Sequence, residues 1–179
     1  KFEGALQAYE ARKDEIDGLI ARFHANLDPW SLSDQNADPH FTAIRQLSGM
    51  EMPRANRAEL LIDGEATFDS ILEGVERASE YVLVQFYMFH DDGLGRRMQQ
   101  ALIERAKAGV RVYMLYDEVG SNGLPARYVG ELRAAGVEVS AFKPTQGSRN
   151  RFQLNFRNHR KMVVVDGVTG WVGGHNVGD

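Results

Sequence analysis

Tyr81 to Phe89 is a nearly unbroken run of apolar and aromatic residues. Bounded by polar residues, it reads as a strand covered on both faces. What surrounds it repeats one pattern. Leu60-Leu61-Ile62 forms a short strand by composition, Asp63-Gly64 a turn, and Phe68, Ile71, Leu72 and Val75 recur at the spacing of one helix face. Gly95 to Ala108 reads as a second helix with Gly109 placed to cap its C-terminus, and Val110 to Tyr116 as the next strand. Pro125 opens another helix through Leu132, Gly136 ends it, and Val137 to Phe142 supplies a further strand. Alternating strands and helices of this kind make an α/β fold built on a largely parallel sheet, with helices on its faces.

The first 58 residues have a different character. Leu6, Tyr9, Ile16, Leu19, Ile20 and Phe23 share one face of an amphipathic helix, whose polar face carries both signs of charge. Without an excess of Lys and Arg, that helix is expected to pack on its own domain instead of a membrane. Asp28 to Pro53 reads as a connector with short turns. The expected organisation is therefore an N-terminal helix and connector over 1–58 and a catalytic half-domain over 59–179. No apolar run approaches the roughly 18 to 20 residues that span a bilayer. With no initiator Met and a last residue directly after the richest motif, we expect an excised piece of a longer protein, soluble by itself.

The chain has no cysteine, so disulfides, thiol nucleophiles and cysteine zinc sites are excluded. Its net charge of -4 argues against coating nucleic acid through bulk positive charge. Locally the balance reverses: Lys143 to Lys161 contains Lys143, Arg149, Arg151, Arg157, Arg160 and Lys161 and no Asp or Glu. A basic run leading into a His/Lys strand suits an anionic phosphate substrate.

His159 to Val165 reads as a strand, and alternation places His159, Lys161, Val163 and Val165 on one face. The imidazole and ammonium then stand about 6 to 7 Å apart along the backbone, within reach of one phosphate. Asp166-Gly167 is a turn signal, and Trp171 to Asn176 can return antiparallel, bringing Gly174 or Asn176 opposite His159. Gly173 and Gly174 would let a substrate approach the backbone, and Arg157 and Arg160 would add positive charge to bind it. A neutral imidazole can attack a phosphodiester phosphorus and split one hard displacement into two easier ones, while Lys161 and Asn176 hold the non-bridging oxygens. The candidate catalytic set is thus His159, Lys161, Asn176 and Asp166. Asp166 has the opposite parity and is read as a turn or ion-pair residue within it. No metal or cofactor is needed by this arrangement. His90-Asp91-Asp92 reads as a strand-to-helix loop with a capping Asp, and His175 as structural.

His159, Lys161 and Asp166 in the order His-x-Lys-x4-Asp, followed by Gly173-Gly174-His175-Asn176, resemble the signature of the phospholipase D superfamily. The stretch from Phe156 to Gly167, with Val177-Gly178-Asp179 at the end, is most similar to the N-terminal half of bacterial cardiolipin synthases. Gln85 to Phe89, Asp92, Tyr116-Asp117 and Gly120-Ser121 resemble strand ends of that family. The resemblance covers about Glu59 to Asp179. It implies a phospholipase D-type α/β/α sandwich and phosphatidyl transfer from one phosphatidylglycerol to another through a covalent phosphohistidine. It also implies a membrane surface as working place, the cytoplasmic side of the bacterial inner membrane as location, and two facing motifs per active site. Only one motif is present here, so a second half in the same protein, or a homodimer partner, is expected to complete the site. His159 is the nucleophile or the general acid in that scheme. Two other functions are open: a phosphodiesterase nuclease acting as a homodimer, and a non-catalytic half-domain that binds anionic lipid. Nucleic acid is not a partner in the leading reading.

Overall fold

A computed structural model describes residues 39–48, 56–142 and 157–179, together with isolated positions between 10 and 25. The chain divides into two units, Lys1–Leu60 and Leu61–Asp179. In the first, helix α1 (Pro39–Ser48) lies within the stretch read as a connector. Pro39 explains why: its fixed φ and missing N–H suit the first position of a helix. Most of the amphipathic helix expected over Leu6 to Phe23 lies outside the described residues, although Lys13 and Asp17 are helical and form an ion pair one turn apart.

The second unit contains α2 (Gly64–Glu76), β1 (Tyr81–Phe86), α3 (Gly93–Lys107), β2 (Arg111–Asp117), α4 (Ala126–Ala134), β3 (Glu138–Phe142), β4 (Met162–Val165) and β5 (Thr169–Val172). The strand order is β3-β2-β1-β4-β5. β1, β2 and β3 run parallel, while β4 runs antiparallel to both β1 and β5. The α/β class and the mixed, largely parallel sheet expected from the sequence are what the chain forms.

Local chemistry accounts for several boundaries. Asp63 caps α2 by accepting from the Ala66 N–H at 2.8 Å, and Asp92 caps α3 through the Gly95 N–H at 2.9 Å. Gly109 and Gly136, with φ of +89° and +96°, follow α3 and α4 in the left-handed conformation that closes helix ends. Asp166 and Gly167, both at positive φ, turn β4 into β5 as primed hairpin turns require.

Two expectations are corrected. Leu60-Leu61-Ile62 is no strand: Leu60 and Ile62 lie almost fully in solvent and no ladder partner faces them among the described residues. Three apolar residues supply a strand's composition, but without a neighbouring edge their N–H and C=O groups bond to water. Nor is β1 buried on both faces. Val82, Val84 and Phe86 are at most 3% exposed, whereas Tyr81 and Gln85 are half-buried and Leu83 is 41% exposed. The strand register aligns Val82, Val84, Val112, Met114, Val139, Val163 and Val165 on one face. There they join Phe68, Ile71, Leu72, Met98, Leu102, Tyr128 and Leu132 of the helices in one core. Phe68, Phe86 and Phe89 pack through it at centroid separations of 6.0 and 5.5 Å, the second pair edge to face. Each such side chain, fully buried, contributes roughly 1.5 to 3 kcal/mol.

The last residues return to β1. The Val177 N–H donates to the Met88 carbonyl at 3.2 Å and the His90 N–H to the Val177 carbonyl at 2.9 Å, a parallel bridge just beyond the strand's end. Val177 is fully buried there.

Candidate active site

Parallel strands present their C-terminal ends to one edge of an α/β sheet, where ligand sites commonly form. Here β1 and β2 end side by side at Phe86 and Asp117. Asp117 is completely buried, and its carboxylate is fully engaged: Oδ1 accepts from the Val119 and Gly120 N–H groups at 2.9 and 3.1 Å, and Oδ2 from the Asn158 N–H at 2.8 Å. A residue at the end of β2 thus pins the backbone immediately before His159. Ser121, also buried, donates its hydroxyl to the Tyr87 carbonyl and accepts from the Phe89 N–H. Gly120 completes this corner, because a Cβ there would stand 2.4 Å from the Tyr87 carbonyl oxygen and 2.8 Å from its ring.

On that support lies the pair read from the sequence. Lys161 Nζ is 2.9 Å from His159 Nδ1 and donates to the His159 carbonyl at 2.9 Å. An ammonium has donors only, so a charged Lys161 makes Nδ1 the acceptor, and a neutral imidazole then carries its proton on Nε2. The His159 ring stacks on Tyr87 with centroids 4.2 Å apart at 32°, and Lys161 Nζ is 5.4 Å from the centre of the same ring. His159 is exposed while Lys161 is 8% exposed. Among the described residues no carboxylate pairs with Lys161, and the stretch from Lys143 to Lys161 contains no acid at all. A buried ammonium without a counter-charge is a place where an anion gains what the protein does not provide.

Asn176 arrives at the same strand end. Its side-chain oxygen accepts from the Met88 N–H at 3.1 Å, one residue from Tyr87, and its NH2 has no hydrogen bond among the described residues. Arg157 reaches the Tyr87 hydroxyl at 3.4 Å. Arg160 is exposed, as are Gly173 and Gly174, and a Cβ on either glycine would meet nothing within 4 Å. The strand expected from His159 starts only at Met162, so the β4–β5 ladder runs out before His159 meets Gly174 or Asn176. Apart from Arg157, Arg160 and Lys161, the basic run lies outside the described residues.

Asp166 does not join the other candidate catalytic residues. Its Oδ1 accepts from the Glu80 and Tyr81 N–H groups at 2.8 Å, and Oδ2 from the Ser79 N–H and hydroxyl at 2.8 and 2.9 Å. The Tyr81 and Ser79 amides, foremost, hold its carboxyl at about 2, helped by the Glu80 amide and the Ser79 hydroxyl and opposed by burial. Tyr81 starts β1 and Tyr87 follows its end, so Asp166 stands about 20 Å from the imidazole at 3.3 Å per residue. The spacing in the sequence places it beside the motif, but antiparallel β4 carries it to the far end of the sheet.

Asp91 and Asp92 are occupied structurally. Burial pushes the Asp91 carboxyl up, but hydrogen bonds and charge from Arg127 and Arg96 outweigh this and hold it below the ordinary range. Asp92, besides capping α3, accepts from the Asp179 N–H at 3.0 Å. His175 is exposed beside Gly64 at the start of α2.

Tyr87, Asp117, Gly120 and Ser121 belong to no motif that marks them as site residues, although all four lie in stretches that resemble the family's strand ends. Their signal was positional: each stands at or just beyond the C-terminal end of a parallel strand. A family model described as "Cardiolipin synthase, PLD-like domain" matches residues 71–179. Cardiolipin synthase A of Pseudomonas putida strain W619 is 49% identical over 99% of this chain, and that of Pseudomonas fluorescens strain Pf-5 is 53% identical over the same share. The chain spans about 38% of the length of these relatives. Among solved structures, NucT from Helicobacter pylori aligns with 64% of this chain and 69% of its own, at 21% identity and a TM-score of 0.49. With a family model covering more than half of its residues and its His-Lys pair seated at the sheet edge, the chain belongs to the cardiolipin synthase family of phospholipase D-like domains.

Proposed function

We propose that this chain is one half of a phosphatidyltransferase of the cardiolipin synthase type. The observation that carries the proposal is the buried Lys161 ammonium, set against an exposed imidazole and lacking a carboxylate partner among the described residues. A phosphodiester oxygen is the anion suited to that place.

In the unliganded pair Nδ1 accepts from Lys161, which keeps the proton on Nε2 and the ring unreactive as a nucleophile. When a phosphate oxygen draws Lys161 away, the imidazole can hold its proton on Nδ1 and offer the Nε2 lone pair. Nε2 then bonds to phosphorus as the bond from phosphorus to the glycerol oxygen breaks, and glycerol leaves with a proton from a general acid. The acid and later base is assigned to a second histidine motif, in the same protein or in a partner copy. The hydroxyl of a second phosphatidylglycerol next attacks phosphorus, loses its proton to that base, and the P–N bond breaks to release cardiolipin. The Asn176 NH2 and Arg157 are assigned to the non-bridging oxygens, and Gly173, Gly174 and Arg160 to the substrate's approach.

The working place is assigned to the membrane surface on the cytoplasmic side. No helix among the described residues is long and apolar enough to cross a bilayer. The test is cardiolipin formation from phosphatidylglycerol vesicles by the full-length protein carrying His159→Ala. Loss of product is expected, as is an acid-labile, base-stable phosphate on wild-type protein quenched during turnover. Normal synthesis by the variant sinks the proposal. Salt-sensitive binding to anionic vesicles without turnover by the wild-type protein would favour lipid binding alone.

A further inference from the structure

Tyr87 touches every part of the His-Lys pair, and no chemistry has been assigned to it. Its ring lies under the His159 imidazole at 4.2 Å and 5.4 Å from the Lys161 ammonium, and its hydroxyl meets Arg157. It is itself held hard: only 9% exposed, with its carbonyl bonded to the Ser121 hydroxyl and with no room for a Cβ at Gly120 beside its ring. His159, by contrast, is exposed and precedes the first residue of β4, so no ladder holds it. An exposed imidazole on irregular backbone would sample several rotamers unless something packs against it.

We infer that Tyr87 is a positioning residue: its ring is the floor that holds the His159 imidazole in one orientation, in register with Lys161. The inference rests on His159 being the reacting group and deepens that reading. Ring stacking and the attraction of the ammonium to the aromatic face act together, both through the ring and not through the hydroxyl. Gly120 and Ser121 belong to the same device, because they keep the ring from retreating. A misplacement of about 1 Å at a reacting group can cost on the order of a hundredfold in rate.

Two substitutions at Tyr87 separate ring from hydroxyl. Tyr87→Phe in the full-length protein should keep kcat within about threefold, with KM carrying any effect of the lost Arg157 contact. Tyr87→Leu should lower kcat about 10- to 100-fold with KM within about twofold, while circular dichroism stays native. Imidazole 15N spectra supply a readout that a purely structural role would leave unmoved: one neutral tautomer at His159 in wild type and Tyr87→Phe, a mixture in Tyr87→Leu. Equal kcat in Tyr87→Leu and wild type overturns the inference, as does equal damage from Phe and Leu. Should Tyr87→Leu fail to fold, nuclear Overhauser contacts between the Tyr87 and His159 rings in the wild-type protein decide, and their absence overturns it. Activity surviving His159→Ala would refute the proposed function instead, while the tautomer readout would still judge the positioning.

Discussion

Asp166→Asn tests the division of labour within the motif. The carboxylate takes four hydrogen bonds, two on each oxygen. Asn is nearly the same shape but keeps one acceptor oxygen. With that oxygen turned to the Glu80 and Tyr81 amides, the new NH2 faces the Ser79 hydroxyl, which can rotate to accept, and the Ser79 N–H, which cannot. One charge-assisted bond is lost and the others weaken, about 1.5 to 3 kcal/mol for each bond lost to a charged group. The site is half-exposed, so water replaces part of this, and about 2 kcal/mol is the expected loss. At roughly 2 to 4 °C per kcal/mol for a chain of this size, the melting temperature should fall by about 6 °C at pH 7. Asp166→Ala should fall further, by about 10 °C, since it loses all four bonds and also dislikes the φ of +52° that Asn tolerates. The pH dependence has a definite sign. A carboxyl held at about 2 when folded, below its usual value when unfolded, stabilises the fold above pH about 4 and loses that effect as pH falls towards 2. Urea denaturation of wild type and Asp166→Asn between pH 7 and 2.5 should therefore give midpoints that converge on acidification. An Asn variant that melts within 1 °C of wild type (on the order of the error of such a shift) yet makes no product would refute the clamp and return Asp166 to the chemistry.

Two further outcomes follow from particular contacts. Gly74→Ala should destabilise by about 2 kcal/mol despite the better helix propensity of Ala, because its Cβ would come within 2.1 Å of the Trp171 ring, which is tied to Ser70 at 3.0 Å; the unfolding midpoint by tryptophan fluorescence checks it. Lys161→Met should lower kcat about 10²- to 10³-fold while leaving the melting temperature unchanged or raised, since it removes the proposed phosphate ligand and also a buried charge that no carboxylate pairs with among the described residues; kinetics and calorimetry on the same preparation separate the two effects.

Much of the second unit was legible because its elements carry local signals. Asp92, Gly109 and Gly136 mark helix ends, and Phe68, Ile71, Leu72 and Val75 recur at the spacing of one helix face whatever packs against it. What escaped the reading depends on neighbours. Leu60 to Ile62 has a strand's composition but lacks an edge to pair with, and the open side of β1 looks apolar enough in sequence to be covered. The Pro39 to Ser48 helix hides among turn-forming residues whose cue was Pro39 itself. In the site, His159, Lys161 and Asn176 share a motif, whereas Tyr87 and Asp117 lie roughly 70 and 40 positions upstream, and only the sheet order brings β1 and β2 beside β4. Asp166 shows the converse: adjacency in a motif is not adjacency in space.

The four hydrogen bonds on Asp166 also have a meaning for the distant site. In a strand, a shift of one residue turns every side chain to the opposite face. By gripping Ser79, Glu80 and Tyr81, the carboxylate sets the phase of β1 at its origin, and with it which residue emerges at the end. One step of slip would offer Phe86 or Met88 to the imidazole in place of Tyr87. A residue about 20 Å from the imidazole thereby works as the zero mark of a ruler whose last division is the ring proposed to position His159.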